Sequence, residues 1–242
     1  MAEIHQRTSS IVQLPQGEDA EIQLVSEKPF GAAHYYLGNY RSRIEVNLDA
    51  LAHWEVDRLV DTLCHEGYPG HHVYAVLQEQ ALYRGRGYIE QAIPLVLTPQ
   101  CVIGEGVAML SCEMLFTPLE LEEWLQEQIY PEVEIAGEWA DVAKLRQAEE
   151  VLQGVWCNAA FMLHEGRSEQ EVSDYLETYG QGGSLHMLKE PFGRIYSFSY
   201  VYGKKLLCSW LQGTDQHSAF RSLLTSQVVP SALLEPGQIK GN

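Results

Sequence analysis

The segment His65-Glu66-Gly67-Tyr68-Pro69-Gly70-His71-His72 places three imidazoles and one carboxylate within eight residues. Neutral imidazole is a good ligand for a divalent ion. A carboxylate beside it can take a proton from water that the ion has activated. In the common zinc-protease helix two histidines stand four apart, and a glutamate follows the first. His65 and Glu66 fit that pattern, but the residue four on is Pro69, which cannot ligate. His71 and His72 come six and seven residues on. Seven residues along an undistorted helix return to the same face about 10 Å further up the axis, too far for ligand bonds near 2 Å to bridge. The intervening Gly67-Tyr68-Pro69-Gly70 is not ordinary helix, because Pro69 removes a backbone donor and two glycines relax φ and ψ. A bulge there folds the gap and sets His71 beside His65. His65 and His71 are therefore the preferred pair. His72 is the alternative second ligand; otherwise it points to substrate or to a supporting hydrogen bond.

A zinc site needs a third protein ligand and one open position. Glu105 in Gly104-Glu105-Gly106-Val107-Ala108 is the best candidate, since it stands alone among Cys101, Val102, Ile103, Val107, Met109 and Leu110. A carboxylate on so apolar a helix is costly unless it is paired or metal-bound. Glu113 is the weaker choice. Glu66 remains as general base. Arg194 is a candidate for a substrate carboxylate, which a guanidinium can grip with two parallel bonds. Arg41 and Arg43 are candidates for the edge of a cleft where an extended peptide adds as a strand.

These residues need helices to hold them. Leu51, Ala52, Val56, Leu59, Val60 and Leu63 recur at three- and four-residue spacing, so an amphipathic helix opening at Asp49 runs straight into His65. Further helices are expected over about 101–115, from the capping box at Thr117-Pro118-Leu119-Glu120 to before Pro131, over 135–164 with Gly166 as stop, and from Ser168 to Gly180. A glycine-rich loop follows over 180–193, then helices over Val201–Leu211 and around His217–Thr225. Residues 1–48 read as mostly extended, with strands in Ile22–Val25 and Tyr35–Asn47. The expectation is a single domain over 1–242, mainly α, with 1–48 mostly β and 49–242 mostly helical.

The net charge of −17 argues against nucleic acid or an anionic membrane as partner. No window approaches 18 continuous apolar residues, and Met1-Ala2-Glu3-Ile4-His5-Gln6 has no signal-like apolar stretch, so a cytoplasmic protein is expected. Cys64, Cys101, Cys112, Cys157 and Cys208 sit singly in apolar runs and read as free core thiols.

The pattern His-Glu-x-x-Pro-Gly-His-His resembles the signature of a large bacterial family of inferred zinc metallopeptidases, long treated as a domain of unknown function. That family is distantly similar to thimet oligopeptidase and carboxypeptidase Taq, whose His-Glu-x-Gly-His would align Gly70-His71 with their Gly-His. The segment Ala33–Leu48 resembles the family's strand region. Glu105-Gly106-Val107-Ala108-Met109-Leu110-Ser111-Cys112-Glu113 resembles its Glu-Gly-Trp-Ala-x-Tyr-x-Glu, Asn158–His164 its Asp-Thr-Gly-x-His segment, and Ser199-Tyr200-Val201-Tyr202-Gly203 its Ser-Tyr-x-x-Gly. The departures are Val107 for Trp, Asn158 for Asp, and Arg194-Ile195-Tyr196 for Pro-Gly-Gln. They bear on the substrate pocket more than on the metal.

The resemblance implies a helical zincin-like catalytic domain with one Zn2+ per chain, held by His65, His71 and Glu105. It offers His164, Tyr200 or Tyr202 as the donor that stabilises an oxyanion. Family members are commonly longer, which implies a cleft that is more open here or completed by another copy of the chain. The function expected is cleavage of short peptides by metal-activated water with Glu66 as base. The rivals are an amidase or esterase acting on a non-peptide substrate, and a metal-holding helical module without activity.

Overall fold

The computed structural model describes residues 1–51, 56–132, 142–181 and 185–234. The protein is mostly helical with a small three-stranded sheet near its N-terminus. The chain divides into two compact units, residues 1–117 with 203–242, and residues 118–202.

The first unit opens with a helix, α1 (Ala2–Ile11), where extended chain was expected. Its only buried positions are Ile4, Thr8 and Ile11. One of those three is polar, and no side chain caps its N-terminus, so sequence periodicity gives little signal. Tertiary contacts hold it instead. Arg7 lies over the Phe116 ring at 4.1 Å and donates to the Leu115 carbonyl at 3.2 Å, and Arg221 donates to the Ile11 carbonyl at 3.1 Å.

Three strands follow, β1 (Asp19–Val25), β2 (Ala32–Gly38) and β3 (Arg41–Asn47), in the order β1-β3-β2. β3 pairs in parallel with β1 and antiparallel with β2. The β2–β3 connection turns through Asn39 and Tyr40, both at positive φ, as a two-residue hairpin of primed type requires. β3 is thus the central strand, which corrects the expectation that Arg41 and Arg43 lie on a free edge open to an added peptide. Strand alternation sends Ser42, Ile44 and Val46 to one face, with His34 and Tyr36 of β2 opposite Ile44 and Ser42. Arg43 points to the other face, where it covers the Tyr35 ring at 4.9 Å and pairs with Glu45 at 3.2 Å.

After the short α2 (Leu48–Leu51), α3 (Val56–Glu66) and α4 (His71–Gln78) carry the histidine motif. Asp49 lies inside α2. Its Oδ2 accepts from the Glu27 amide at 2.7 Å, and Asn47 Oδ1 accepts from the Asp49 amide at 3.1 Å. α5 (Pro99–Leu115) is buried almost all round, the pattern of a central helix, and it packs against α1, α3, α4 and α12 (Gln216–Thr225). Helix α11 (Pro191–Leu211) crosses α5 through paired glycines. A Cβ on Gly106 would stand 2.7 Å from the Gly203 backbone, and one on Gly203 would stand 2.4 Å from the Val102 carbonyl oxygen. This close approach fixes the turn of α5 that bears Glu105.

The second unit holds α6 (Pro118–Trp124), which continues as a π-helical turn over Leu125–Ile129, then α7 (Val142–Leu152), α8 (Val155–His164), α9 (Glu169–Thr178), α10 (His186–Lys189) and the first part of α11. The long helix expected to end at His164 is broken after Leu152, before Gly154; its beginning lies outside the described residues, as does Ala52 on the motif helix. The capping box at Ser168 and Glu171 is formed. The expected loop over 180–193 is shorter, because α10 and the start of α11 occupy its second half. Val155, Ala159, Ala160, Val172, Leu176, Leu185 and Leu188 make this unit's core.

No single helix among the described residues is long and apolar enough to cross a membrane. All five cysteines are free thiols, with Cys64 fully buried.

Candidate metal centre

α3 ends at Glu66, and the chain reverses through Gly67–Gly70 before α4 begins at His71. The Gly70 amide donates to the Cys64 carbonyl at 3.0 Å, and the Val73 amide reaches the Gly67 carbonyl at 3.4 Å. These bonds span six residues, where an α-helix would span four, so the extra length of the motif is folded out of the helical path. A Cβ on Gly70 would stand 1.9 Å from the His65 carbonyl oxygen, so only glycine permits this approach.

The buckle brings His65 and His71 together, with rings 4.7 Å apart and nearly perpendicular at 88°. Glu105 lies against both. Its Oε1 is 3.4 Å from His71 Nε2, and its Oε2 is 3.6 Å from His65 Nε2. Charge-assisted hydrogen bonds are shorter, about 2.7–2.9 Å. Two atoms bound at about 2.0–2.1 Å to one tetrahedral ion stand about 3.3 Å apart, which is close to the spacing found. Glu66 is buried, and one of its carboxylate oxygens lies within 4.8 Å of a ring nitrogen of His65 and of one of His71. His65, Glu66 and His71 form a cluster that could hold a metal ion, and the Glu105 carboxylate of α5 lies against both imidazoles.

Electrostatics agree with the geometry. Burial pushes the Glu105 carboxyl up, but the imidazoles of His71 and His65 outweigh it and hold the group far below the usual carboxylate range. Burial pushes His71 down, and the Glu105 and Glu66 carboxylates outweigh it and raise the imidazole to about 9. Two adjoining ionisable groups with opposed shifts, Glu105 lowered and His71 raised, make this cluster a candidate functional site. Glu113, the weaker ligand candidate, pairs with Lys204 at 2.7 Å.

His72 does not join this cluster, nor can it meet substrate, which corrects the substrate-binding expectation. It is fully buried and both of its ring nitrogens are engaged. Nε2 is 2.6 Å from Glu18 Oε2 and Nδ1 is 2.8 Å from Ser42 Oγ. The same hydroxyl is 2.8 Å from His34 Nε2. A hydroxyl can donate to one ring and accept from the other, so Ser42 links His72 to His34. The His34 ring in turn stacks on His71 with centroids 5.9 Å apart. Burial and the neighbouring imidazoles of His71, His72 and His65 push His34 down to about 2, so it stays neutral. Sequence reasoning missed Glu18, Ser42 and His34 as parts of the site. None lies in the histidine motif, and only strand pairing reveals that His34 and Ser42 share a face.

Glu18 anchors the network. It accepts from His72, from Tyr68 Oη at 2.6 Å and from His5 Nε2 at 2.9 Å. Burial pushes its carboxyl up, but these hydrogen bonds outweigh that and lower it from 4.5 to about 2. A carboxyl depressed on folding stabilises fully above its unfolded value. That stabilisation is lost as pH falls from about 4.5 toward 2. Denaturant melts should therefore show Glu18→Gln clearly less stable than wild type near pH 7, with the gap narrower near pH 3. A gap of equal size at both pH values would contradict this role.

The remaining residues singled out from the sequence lie in the second unit. His164 ends α8, and with Arg194 of α11 it lines a cavity in that unit. The Tyr200 ring meets Tyr196 edge-on at 5.4 Å, and the exposed Tyr202 stacks on Phe198 at 6.0 Å.

Comparison with protein-family models, with curated proteins and with solved structures gives no match to this chain.

Proposed function

We propose that this protein is a zinc-dependent hydrolase, and that short peptides are its substrates. The carrying observation is one buried carboxylate, that of Glu105, set 3.4 and 3.6 Å from two perpendicular imidazoles, with a second carboxylate, that of Glu66, within 4.8 Å of both. Two imidazoles and a carboxylate are a donor set that suits zinc and leaves a position open. The resemblance of His65–His72 and Glu105–Glu113 to the bacterial metallopeptidase signature points the same way.

In this reading His65, His71 and Glu105 hold the ion. When bound, it supplies Lewis acidity toward a carbonyl and toward water. Glu66 accepts the proton of the attacking water on its carboxylate and returns it to the leaving amine nitrogen. Its place at the end of α3, one residue after His65, ties the base to the ligand it serves. His72, Ser42 and Glu18 keep the α4 end of the motif seated against β3, and the His34 ring packs against His71. Such supporting contacts commonly account for a factor of about 10–100 in metal affinity or activity.

Removal of the metal tests the reading. Chelation should abolish turnover of a short-peptide panel, and about one equivalent of Zn2+ per chain should restore it. Turnover that survives complete metal removal would contradict the proposal. Restored turnover confined to esters or non-peptide amides would keep the metal chemistry and overturn the peptide substrate.

A further inference from the structure

The second unit contains a cavity of about 400 Å³ lined by Ala160, Phe161, His164, Pro191, Arg194, Ile195 and Phe198. Its walls are apolar. The Phe161 and Phe198 rings meet edge-on at 5.0 Å, and Phe161 and Ile195 remain more than half exposed. Arg194 and His164 are the two ionisable residues along this lining. The Arg194 Nε is buried and has no hydrogen-bond acceptor among the described residues, while one terminal nitrogen donates to the Lys189 carbonyl at 3.2 Å. That bond holds the guanidinium plane in place without neutralising its charge. No carboxylate among the described residues pairs with Arg194. A buried, unsatisfied donor on a charged group is costly, and a planar guanidinium is best satisfied by a carboxylate. Pockets of this size with apolar walls and one or two fixed polar groups are typical small-ligand sites.

We propose that this cavity binds a small amphipathic carboxylate, with an aromatic or branched aliphatic body lying between Phe161, Ile195 and Phe198 and its carboxylate on Arg194. The His164 imidazole, at the cavity wall, supplies a second polar contact. The cavity belongs to the second unit and the candidate metal centre to the first. The ligand is either a free carboxylic acid or the C-terminal residue of a peptide ending in an apolar side chain.

Titration calorimetry on the full chain tests this, with two acids and their amides as probes: 4-phenylbutanoate against 4-phenylbutanamide, and N-acetyl-alanyl-phenylalanine against its C-terminal amide. Each acid should bind with Kd below about 1 mM and at least about tenfold more tightly than its amide. Arg194→Gln should erase the preference for the acid and leave amide binding as it was. Phe198→Ala should weaken acid and amide together. Arg194→Lys, which keeps the charge, should retain part of the preference, and that guards against a folding defect in the glutamine variant. The His65→Ala chain should bind the acids as wild type does, which excludes a carboxylate bound at the metal centre. Tighter binding of the dipeptide acid would assign the source to a peptide C-terminus, and tighter binding of 4-phenylbutanoate would assign it to a free acid. Equal affinity for acid and amide, an unchanged preference in Arg194→Gln, or loss of binding in His65→Ala would overturn the proposal, as would no heat of binding at about 5 mM, well above the weak end of the affinity scale.

Discussion

Glu66→Gln should retain its metal and lose its turnover, with kcat on a responsive peptide falling by about 10²- to 10⁴-fold, the usual contribution of a positioned general base. The amide keeps the shape and volume of the buried carboxylate, so packing at the end of α3 is preserved. What it cannot do is accept a proton. Metal content near wild type with turnover gone separates a base from a ligand. Glu66 lies within 4.8 Å of both imidazole nitrogens, so the distinction from Glu105 rests on this result. If Glu66→Gln loses the metal as well, Glu66 is itself a ligand. If turnover is unchanged, the assignment of the base is wrong.

The second large effect is expected at a residue with no side chain to bind an ion. In Gly70→Ala the new methyl group would meet the His65 carbonyl oxygen at 1.9 Å and the Cys64 carbonyl oxygen at 2.4 Å. Backbone atoms cannot yield as a flexible side chain would, so the Gly70–Cys64 hydrogen bond must break and the start of α4 must move. His71 is the next residue, so the second imidazole moves with it. A loss of about 3 kcal/mol or more in stability is expected, together with a fall in metal affinity of about 100-fold. Thermal melts and competitive metal titration would read the two effects. Wild-type metal affinity in Gly70→Ala would mean that the buckle does not set the ligand geometry.

The same glycine shows what was legible in the sequence. Pro69 between two glycines announces a break, because a proline and two unrestricted residues cannot continue an α-helix unchanged. The convergence of His65 with His71 follows from that break. Glu105 was legible for a different reason, as a lone charge among apolar residues at helical spacing, and it lies on the most buried helix of the first unit. The helices from Pro99 and Pro118, the capped start at Ser168 and the last helix near His217 carried local signals and formed close to where those signals lie.

Other features had no local signal. Helix α1 is held by contacts with residues more than a hundred positions away, Leu115 with Arg7 and Arg221 with Ile11. Glu18 sits outside any regular element, and only the folded chain shows that His5, Tyr68 and His72 all point to it. His72 is next to His71 in sequence but faces away from it, because adjacent residues of a helix stand about 100° apart. The placement of Arg43 depended on strand order. Alternation within β3 was visible, but nothing in the sequence states that β1 pairs beyond it.

Elemental analysis of the purified wild-type chain beside His65→Ala tests the central claim most directly. The convergence of His65, His71 and Glu105 predicts about one equivalent of a divalent ion per wild-type chain and loss of nearly all of it in the variant, with the fold retained by circular dichroism. A wild-type chain that takes up no divalent ion even when zinc is supplied, or a folded His65→Ala chain that keeps its full equivalent, would contradict the account.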